Sequence, residues 1–598
     1  VDDCSLETLA RAAGIGVQWT DAFGQARVLS EPTLHSLLGA LQLPSQDAAS
    51  RVASLRLIEE RAHALPVLIT ADAGGSFELP HAARGVSGVT ACDEQGQEQK
   101  LPLTAAGRCR APAQYGYYQL GIGGQTLTLA VAPPRCYSVG DSLGTQQRRA
   151  WGLAAQVYSL RRHNDGGVGD SHAVAELAQV IGRAGGDALA LSPLQAMSPI
   201  LAQCSPYSPS HRGLLNWLHA DAAQVLGATA LQDAIDGSGL ASRWQQAQQG
   251  ALVDWPVVYA LRRQVFGQLY EHFEHASLSL REDLQRFEAQ GGDSLRKHAW
   301  HAARQTQAAA RGESTAWRQW PEDWREEAAA SRFAQTQPRA VKLEIFLQWL
   351  AARSWDQTAR LAQAAGLGLG LIWDLAVGFE AGGSEAWTWR EQVLEGFELG
   401  APPDAFNPGG QSWGIATYSP WGLRASGFKP FIELLRANMR RGGGIRIDHI
   451  IGLQHLWVLP CGRPSAEGGY IRQPLEDLLR LTALESWRHR AIVIGEDLGT
   501  VPQGLREQLA ARGVLGLDVL LFTRDERGAF LPPERWRQQA VAMTTTHDLP
   551  PLAGWREGTD LENLARVQGW NQPHLQQCKQ AREQDVLRLD QALASAVG

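Results

Sequence analysis

The chain runs to 598 residues, with 44% hydrophobic and 20% charged side chains and a formal net charge of −7. It is too long for one compact domain and apolar enough to bury a large core. No long basic run, acidic tail, membrane-length apolar stretch or signal-peptide pattern is present, which argues against nucleic acid and membrane as partners.

Residues 1–62 read as a helical segment. Leu6, Leu9, Ala10 and Ala13 recur at helical spacing and Gly14 ends the run; Thr33 to Leu43 repeats the pattern between Pro32 and Pro44. Residues 63–140 change character. Val67-Leu68-Ile69, Gly116 to Leu120 and Thr126 to Val131 are strand-like, and the Gly and Pro between them predict a small β-sandwich. Pro133-Pro134 marks the exit, and residues 141–598 form the third domain.

There the texture is strand then helix, repeated. The predicted strands are Leu153 to Val157, Asp187 to Leu191, Leu369 to Asp374, Gly444 to Asp448, Ala491 to Glu496, Gly516 to Phe522 and Ala540 to Thr545. Such alternation predicts an α/β fold of parallel βα units, most simply a (β/α)8 barrel. Residues 215–335, rich in Gln, Ala, Arg and Glu, read as an inserted helical subdomain. After Asp548 the pattern is helical, and no eighth apolar run follows. The expectation is a trimmed or partly ordered form of a longer protein, with a gap about one strand wide between the first and seventh strands. A start at Val1 rather than Met fits processing or trimming.

Cys4, Cys92, Cys109, Cys136, Cys204, Cys461 and Cys578 are odd in number and form no Cys-x-x-Cys pair, so neither a zinc site nor a disulfide framework is predicted. That pattern suits a reducing cytoplasm. The 21 tryptophans are read mostly as packing, with some as platforms for the C–H faces of sugar rings.

Three carboxylates end short apolar runs: Asp448, Glu496 and Asp548. In a barrel of alternating strands and helices, side chains at such strand ends face the active site. Arg446 lies two residues before Asp448, so both share one face of the strand. A guanidinium there favours the ionised carboxylate that a nucleophile needs; a buried structural ion pair is the competing reading. Glu496 at an apolar mouth suits a general acid with a raised pKa, against a helix-capping role that Asp497 fills equally well. His547 with Asp548 suits bonding to adjacent sugar hydroxyls, against a self-satisfied structural pair.

Arg446-Ile-Asp-His449, Ile494-Gly-Glu-Asp-Leu-Gly499 and Thr545-Thr-His-Asp-Leu-Pro550 together resemble the catalytic segments of the amylomaltases, the 4-α-glucanotransferases of glycoside hydrolase family seventy-seven. Trp151-Gly-Leu153 with Val157 to Arg161, Ser205 to Ser210, Asp374 to Gly378, Gly400 to Phe406 with Gly409 to Gly414, and Gly469-Tyr470 agree in order. The resemblance spans roughly residues 148–558, and residues 1–140 resemble the extra domains of longer bacterial members.

The resemblance implies Asp448 as nucleophile, Glu496 as acid/base and Asp548 as transition-state stabiliser. It implies substrate contacts at Arg446, His449, His547, Asp374, Tyr207, Ser205 and Tyr470, and a lid loop bearing Phe406, Gln411 and Trp413. The implied reaction is retaining transfer of α-1,4-glucan segments between maltooligosaccharides as donor and acceptor. It uses no cofactor and no metal, and no obligate protein partner is implied. An α-amylase-like hydrolase with the same acids is the nearest alternative. A magnesium-dependent enolase-type barrel and a non-catalytic glucan-binding protein are more remote.

Overall fold

A computed structural model of the protein describes residues 5–21, 24–80, 83, 86, 88–104, 107–145, 149–198, 204–404 and 407–597. The chain forms two compact units, Val1–Val493 and Ile494–Gly598.

In the first unit the predicted strands appear as β1 (Gly152–Ala155), β2 (Ala188–Leu191), β3 (Gly370–Leu375), β4 (Gly444–Ile447) and β5 (Ile492–Gly495), lying side by side in chain order. The pairings from β1 to β4 are all parallel. β3 is buried along its whole length, which is why it reads as an apolar run, broken only by Asp374 near its end, rather than as an alternating one. The helix Ser171–Arg183 after β1 begins at Asp170, whose side chain accepts a hydrogen bond from the Ala173 amide. It turns Val174, Ala178 and Ile181 onto the sheet. Its long counterpart Pro338–Ala364 precedes β3 and brings Phe346, Leu347, Leu350 and Trp355 to the same core. Helices run through the segment that precedes this helix, from Ala222–Leu226 to Glu327–Thr336.

Residues 1–62 depart from a purely helical reading. Helices Leu6–Ala12, Glu31–Ala40 and Ala48–His63 form, but Ile15–Gly16, Gln18–Thr20 and Ala26–Val28 are short strands between them. Ile15 and Gly16 pair with Ile471 and Tyr470. They thereby extend a sheet whose other members are Gly469–Arg472, His455–Pro460, Phe397–Ala401 and Gln411–Ser412. A two-residue strand with a glycine carries too little periodicity to be seen in sequence; its partner lies hundreds of residues away. Between residues 68 and 132 a five-stranded sheet forms, with Leu68–Asp72 parallel to Gln125–Ala132 and the other pairings antiparallel. The ribbon Ser76–Glu78 with Arg108–Arg110 adds Phe77 and Cys109 to the core of Leu120, Leu127 and Leu129.

The second unit holds β6 (Gly516–Val519) and β7 (Ala540–Met543), paired in parallel, with Ile494 bridging to Leu515. The expected strand to Phe522 is shorter, because residues 520–522 turn into a 3-10 helix. Thr559–Gln568 and Gln572–Val597 are helices, and no strand follows β7 among the described residues.

Candidate active site

The β3–β4 register sets Asp374 opposite Arg446. Arg446 donates from Nη1 to Asp374 Oδ1 at 2.7 Å, and its Nη2 lies 3.0 Å from Asp448 Oδ1. The Tyr207 hydroxyl donates to Asp374 Oδ2 at 2.6 Å. One guanidinium thus bridges two carboxylates, each held by a different nitrogen of its planar fork. Burial works against the charge on Arg446, but Asp374 and Asp448 outweigh it and raise the group above its ordinary value. Burial, and then the Asp374 carboxylate, push the Tyr207 phenol far up, so it stays a donor. Asp448 lies one residue beyond β4, its amide fixed on the Leu375 carbonyl at 3.0 Å, and its side chain is 19% exposed. Arg446 and Asp448 do share a face, as period-two alternation requires.

Ser205 supports Tyr207: its hydroxyl accepts from the Tyr207 amide at 3.3 Å. His449 has a left-handed backbone (φ 46°) and presents its ring to the edge of Trp413 at 5.2 Å. Burial, with the nearby His455, lowers His449 to about 4, so it is neutral at working pH. Trp413 follows the Gln411–Ser412 strand, and its indole donates to Gln411 Oε1 at 3.1 Å. Phe406, expected in the same loop, lies outside the described residues. Tyr470 packs on His455 with ring centroids 4.2 Å apart. So Asp374, Arg446, Asp448, Tyr207 and Ser205 come together, and Trp413, bonded to Gln411, meets His449.

In the second unit, Glu496 directly follows β5 and accepts the Leu498 amide at 2.8 Å. Its neighbour Asp497 is a buried anchor rather than a cap. It accepts the Leu517 amide at 2.9 Å, an Arg506 hydrogen bond at 3.0 Å and an Arg537 hydrogen bond at 2.5 Å. Burial opposes that charge, yet Arg537 and the other donors hold the carboxyl below its usual range. His547 Nε2 lies 3.2 Å from Asp548 Oδ2, and the Asp548 side chain is 78% exposed.

Three supporting residues escape sequence reasoning. Gln195 donates from Nε2 to the Asp374 carbonyl at 2.7 Å and to Asn438 Oδ1 at 3.0 Å, which fixes the end of β3. A buried Gln inside an apolar stretch was the only signal. Glu380, beneath the Tyr207 loop, donates its amide to the Pro209 carbonyl at 2.8 Å, and burial raises its carboxyl to about 7.

Residues 155–597 match the family model of the 4-alpha-glucanotransferases, glycoside hydrolase family 77. The chain belongs to this family. It is 32% identical over 596 residues to the 4-alpha-glucanotransferase of Mycobacterium tuberculosis, covering 93% of this chain and 81% of that one. The Haemophilus influenzae 4-alpha-glucanotransferase is 30% identical over 476 residues, covering 75% and 66%. The amylomaltase of Corynebacterium glutamicum superposes with a TM-score of 0.84 at 26% identity over 99% of this chain and 86% of that one. The fold is also similar to that of the Streptococcus agalactiae amylomaltase solved with acarbose, at a TM-score of 0.59, 21% identity, and 70% and 84% coverage.

Proposed function

We infer that this family 77 member is a retaining 4-alpha-glucanotransferase that moves α-1,4-glucan segments between maltooligosaccharides. The observation that carries the reading is the Asp374–Arg446–Asp448 bridge at the ends of adjacent parallel strands, in a chain of that family. Arg446 holds the Asp448 carboxylate in place at 3.0 Å, and Asp448 is the proposed nucleophile. Its carboxylate attacks the anomeric carbon while Glu496 delivers a proton to the departing glycosidic oxygen. A covalent glucosyl-Asp448 forms and the leaving glucan departs. Glu496, now ionised, takes the proton of an acceptor 4-hydroxyl, which attacks the anomeric carbon and releases Asp448. Asp548 stabilises the charged transition state. Asp374, Arg446, Tyr207, with Ser205 behind it, His449 and His547 hold the ring being transferred. The loop with Phe406, Gln411 and Trp413 keeps water from the intermediate, which favours transfer over hydrolysis.

The architecture proposed for residues 141–598 is the (β/α)8-type barrel with a helical insertion, β1 to β7 being its first seven strands. The N-terminal segment to residue 62 and a β-sandwich over 63–140 precede it. The cytoplasm is the proposed compartment, in keeping with a cysteine spacing that suggests no disulfide framework.

Incubation with maltotriose tests the reading. Glucose together with maltopentaose and longer products is expected, and products no longer than the substrate would overturn transfer. Glu496→Gln treated with a glycosyl donor bearing a good leaving group is expected to trap the ester on Asp448, because departure then needs no acid. A label on another residue would remove Asp448 as nucleophile.

A further inference from the structure

The short strand Ile15–Gly16 places the N-terminal segment against Tyr470. A Cβ at Gly16 would lie 3.4 Å from Tyr470 Cβ, at contact distance, so the two strands run close together here. Trp19 follows three residues later, in the strand Gln18–Thr20, and packs edge-on to Trp457 at 5.0 Å and to Tyr470 at 6.3 Å. Tyr470 in turn stacks on His455, the rings inclined by 33°.

These rings differ in what their polar atoms do. Trp457 is 2% exposed, and its indole N–H donates to the Ser465 carbonyl and hydroxyl, both at 3.2 Å. It is a satisfied core residue, and Ser465 ties it on through a 2.6 Å bond to the Ala401 carbonyl at the base of the Gln411–Trp413 loop. Trp19, His455 and Tyr470 are only partly buried. The Trp19 indole N–H, both His455 ring nitrogens and the Tyr470 hydroxyl make no hydrogen bond among the described residues, and none is sealed from solvent. Buried Trp and Tyr polar atoms normally find a partner. Here aromatic faces and unpartnered donors and acceptors lie together on a solvent-facing surface. That combination suits a hydroxylated ring, with C–H faces to stack and hydroxyls to bond. Burial lowers His455 to about 4 and raises Tyr470 to about 12, so the patch is uncharged near neutral pH, as a neutral ligand requires. The patch adjoins the proposed site along the chain: His449 follows Asp448, and only the 3-10 turn Ile450–Leu453 and Gln454 separate it from His455, the first residue of the strand His455–Pro460.

We propose that Trp19, together with His455 and Tyr470, forms a glucan subsite away from the scissile bond, so that the N-terminal segment contributes directly to binding longer α-1,4-glucans. The inference rests on the transferase reading above and adds a chain-length preference to it.

The test compares kcat/KM of the full chain on maltotriose and on maltoheptaose, for wild type, Trp19→Ala, Trp19→Phe and His455→Ala. Trp19→Ala and His455→Ala are expected to stay within about twofold of wild type on maltotriose and to lose roughly tenfold on maltoheptaose, the worth of one sugar–aromatic contact. Trp19→Phe, which keeps an aromatic face, is expected to recover most of the loss. An unchanged length profile in both alanine variants would overturn the subsite. So would an equal loss on both substrates that Trp19→Phe also shows, since that marks a purely structural role. Absence of transfer by the wild-type chain would instead sink the transferase reading, so the two failures are separable.

Discussion

Arg446 shows how one residue sets the state of its neighbours. It contacts Asp374 and Asp448 at once, and the fork geometry lets it do so without moving either. Arg446→Lys keeps the charge and loses one of the two bridges. It is expected to lower kcat/KM by about 2–3 kcal/mol, roughly 30- to 150-fold, with little change in melting temperature. A kinetic comparison on maltotriose beside a thermal melt checks both halves. Asp448→Asn is expected to abolish turnover while leaving maltodextrin binding nearly intact, which calorimetry reads. Glu380 gives a pH prediction. Burial raises its carboxyl from 4.5 to about 7, so the folded chain holds a proton there that the unfolded chain has released. That contribution to stability is fully present below pH 4.5 and is lost as pH rises through about 7. Glu380→Gln removes the titration, and the fall in melting temperature between pH 5 and pH 8 is expected to be smaller than in wild type. Equal falls would show that Glu380 is not the group responsible.

At the scale of elements, Asp497 is the buried tie at the end of β5. Its carboxylate takes the Leu517 amide and two guanidiniums, joining the start of β6 to the segment leading into β7. Asp497→Ala leaves that buried amide without its acceptor, while Arg537 keeps Asp518 and the Leu517 carbonyl, and is expected to cost about 2 kcal/mol. Denaturant midpoints measure it, and Asp497→Asn, which keeps an acceptor, is expected to lose less. The Gln411–Trp413 segment gives a test of the lid. Phe406→Ala combined with Trp413→Ala is expected to raise reducing-end release per transfer event; an unchanged ratio would mean that something else excludes water. Why some elements were legible in sequence and others were not is physical. β3 and β4 are runs of six and four residues, apolar except for Asp374 and Arg446, and declare themselves. Strands of two residues such as Ile15–Gly16 and Gln411–Ser412 have no period to read, and the first exists because distant Tyr470 and Ile471 pair with it.

At the scale of the whole chain, the N-terminal segment is part of the first unit's packing and not an appendage. Leu9, Leu34, Leu37 and Leu38 share a core with Leu399, Leu456, Val458 and Ile471. Each buried leucine contributes about 2 kcal/mol. A chain starting at residue 63 is therefore expected to melt well below the full chain and to bind an apolar dye, because the far side of that core becomes exposed. A truncated chain with an unchanged melting temperature would contradict this.

The motifs Arg446 to His449, Ile494 to Gly499 and Thr545 to Pro550 were readable because chemistry dictates residue type and spacing locally. Alternation of apolar runs with helical stretches likewise carried the parallel βα texture, since burial on both faces leaves its mark on composition. Tertiary structure alone decided that Arg446 bridges Asp448 to Asp374 across a strand register, and that Gln195 pins the Asp374 backbone. It alone joined Ile15 to Ile471 and seated Trp19 on Tyr470. Those contacts link residues tens to hundreds of positions apart. Their energy comes from burial and pairing after the chain has closed on itself, so no local pattern records them.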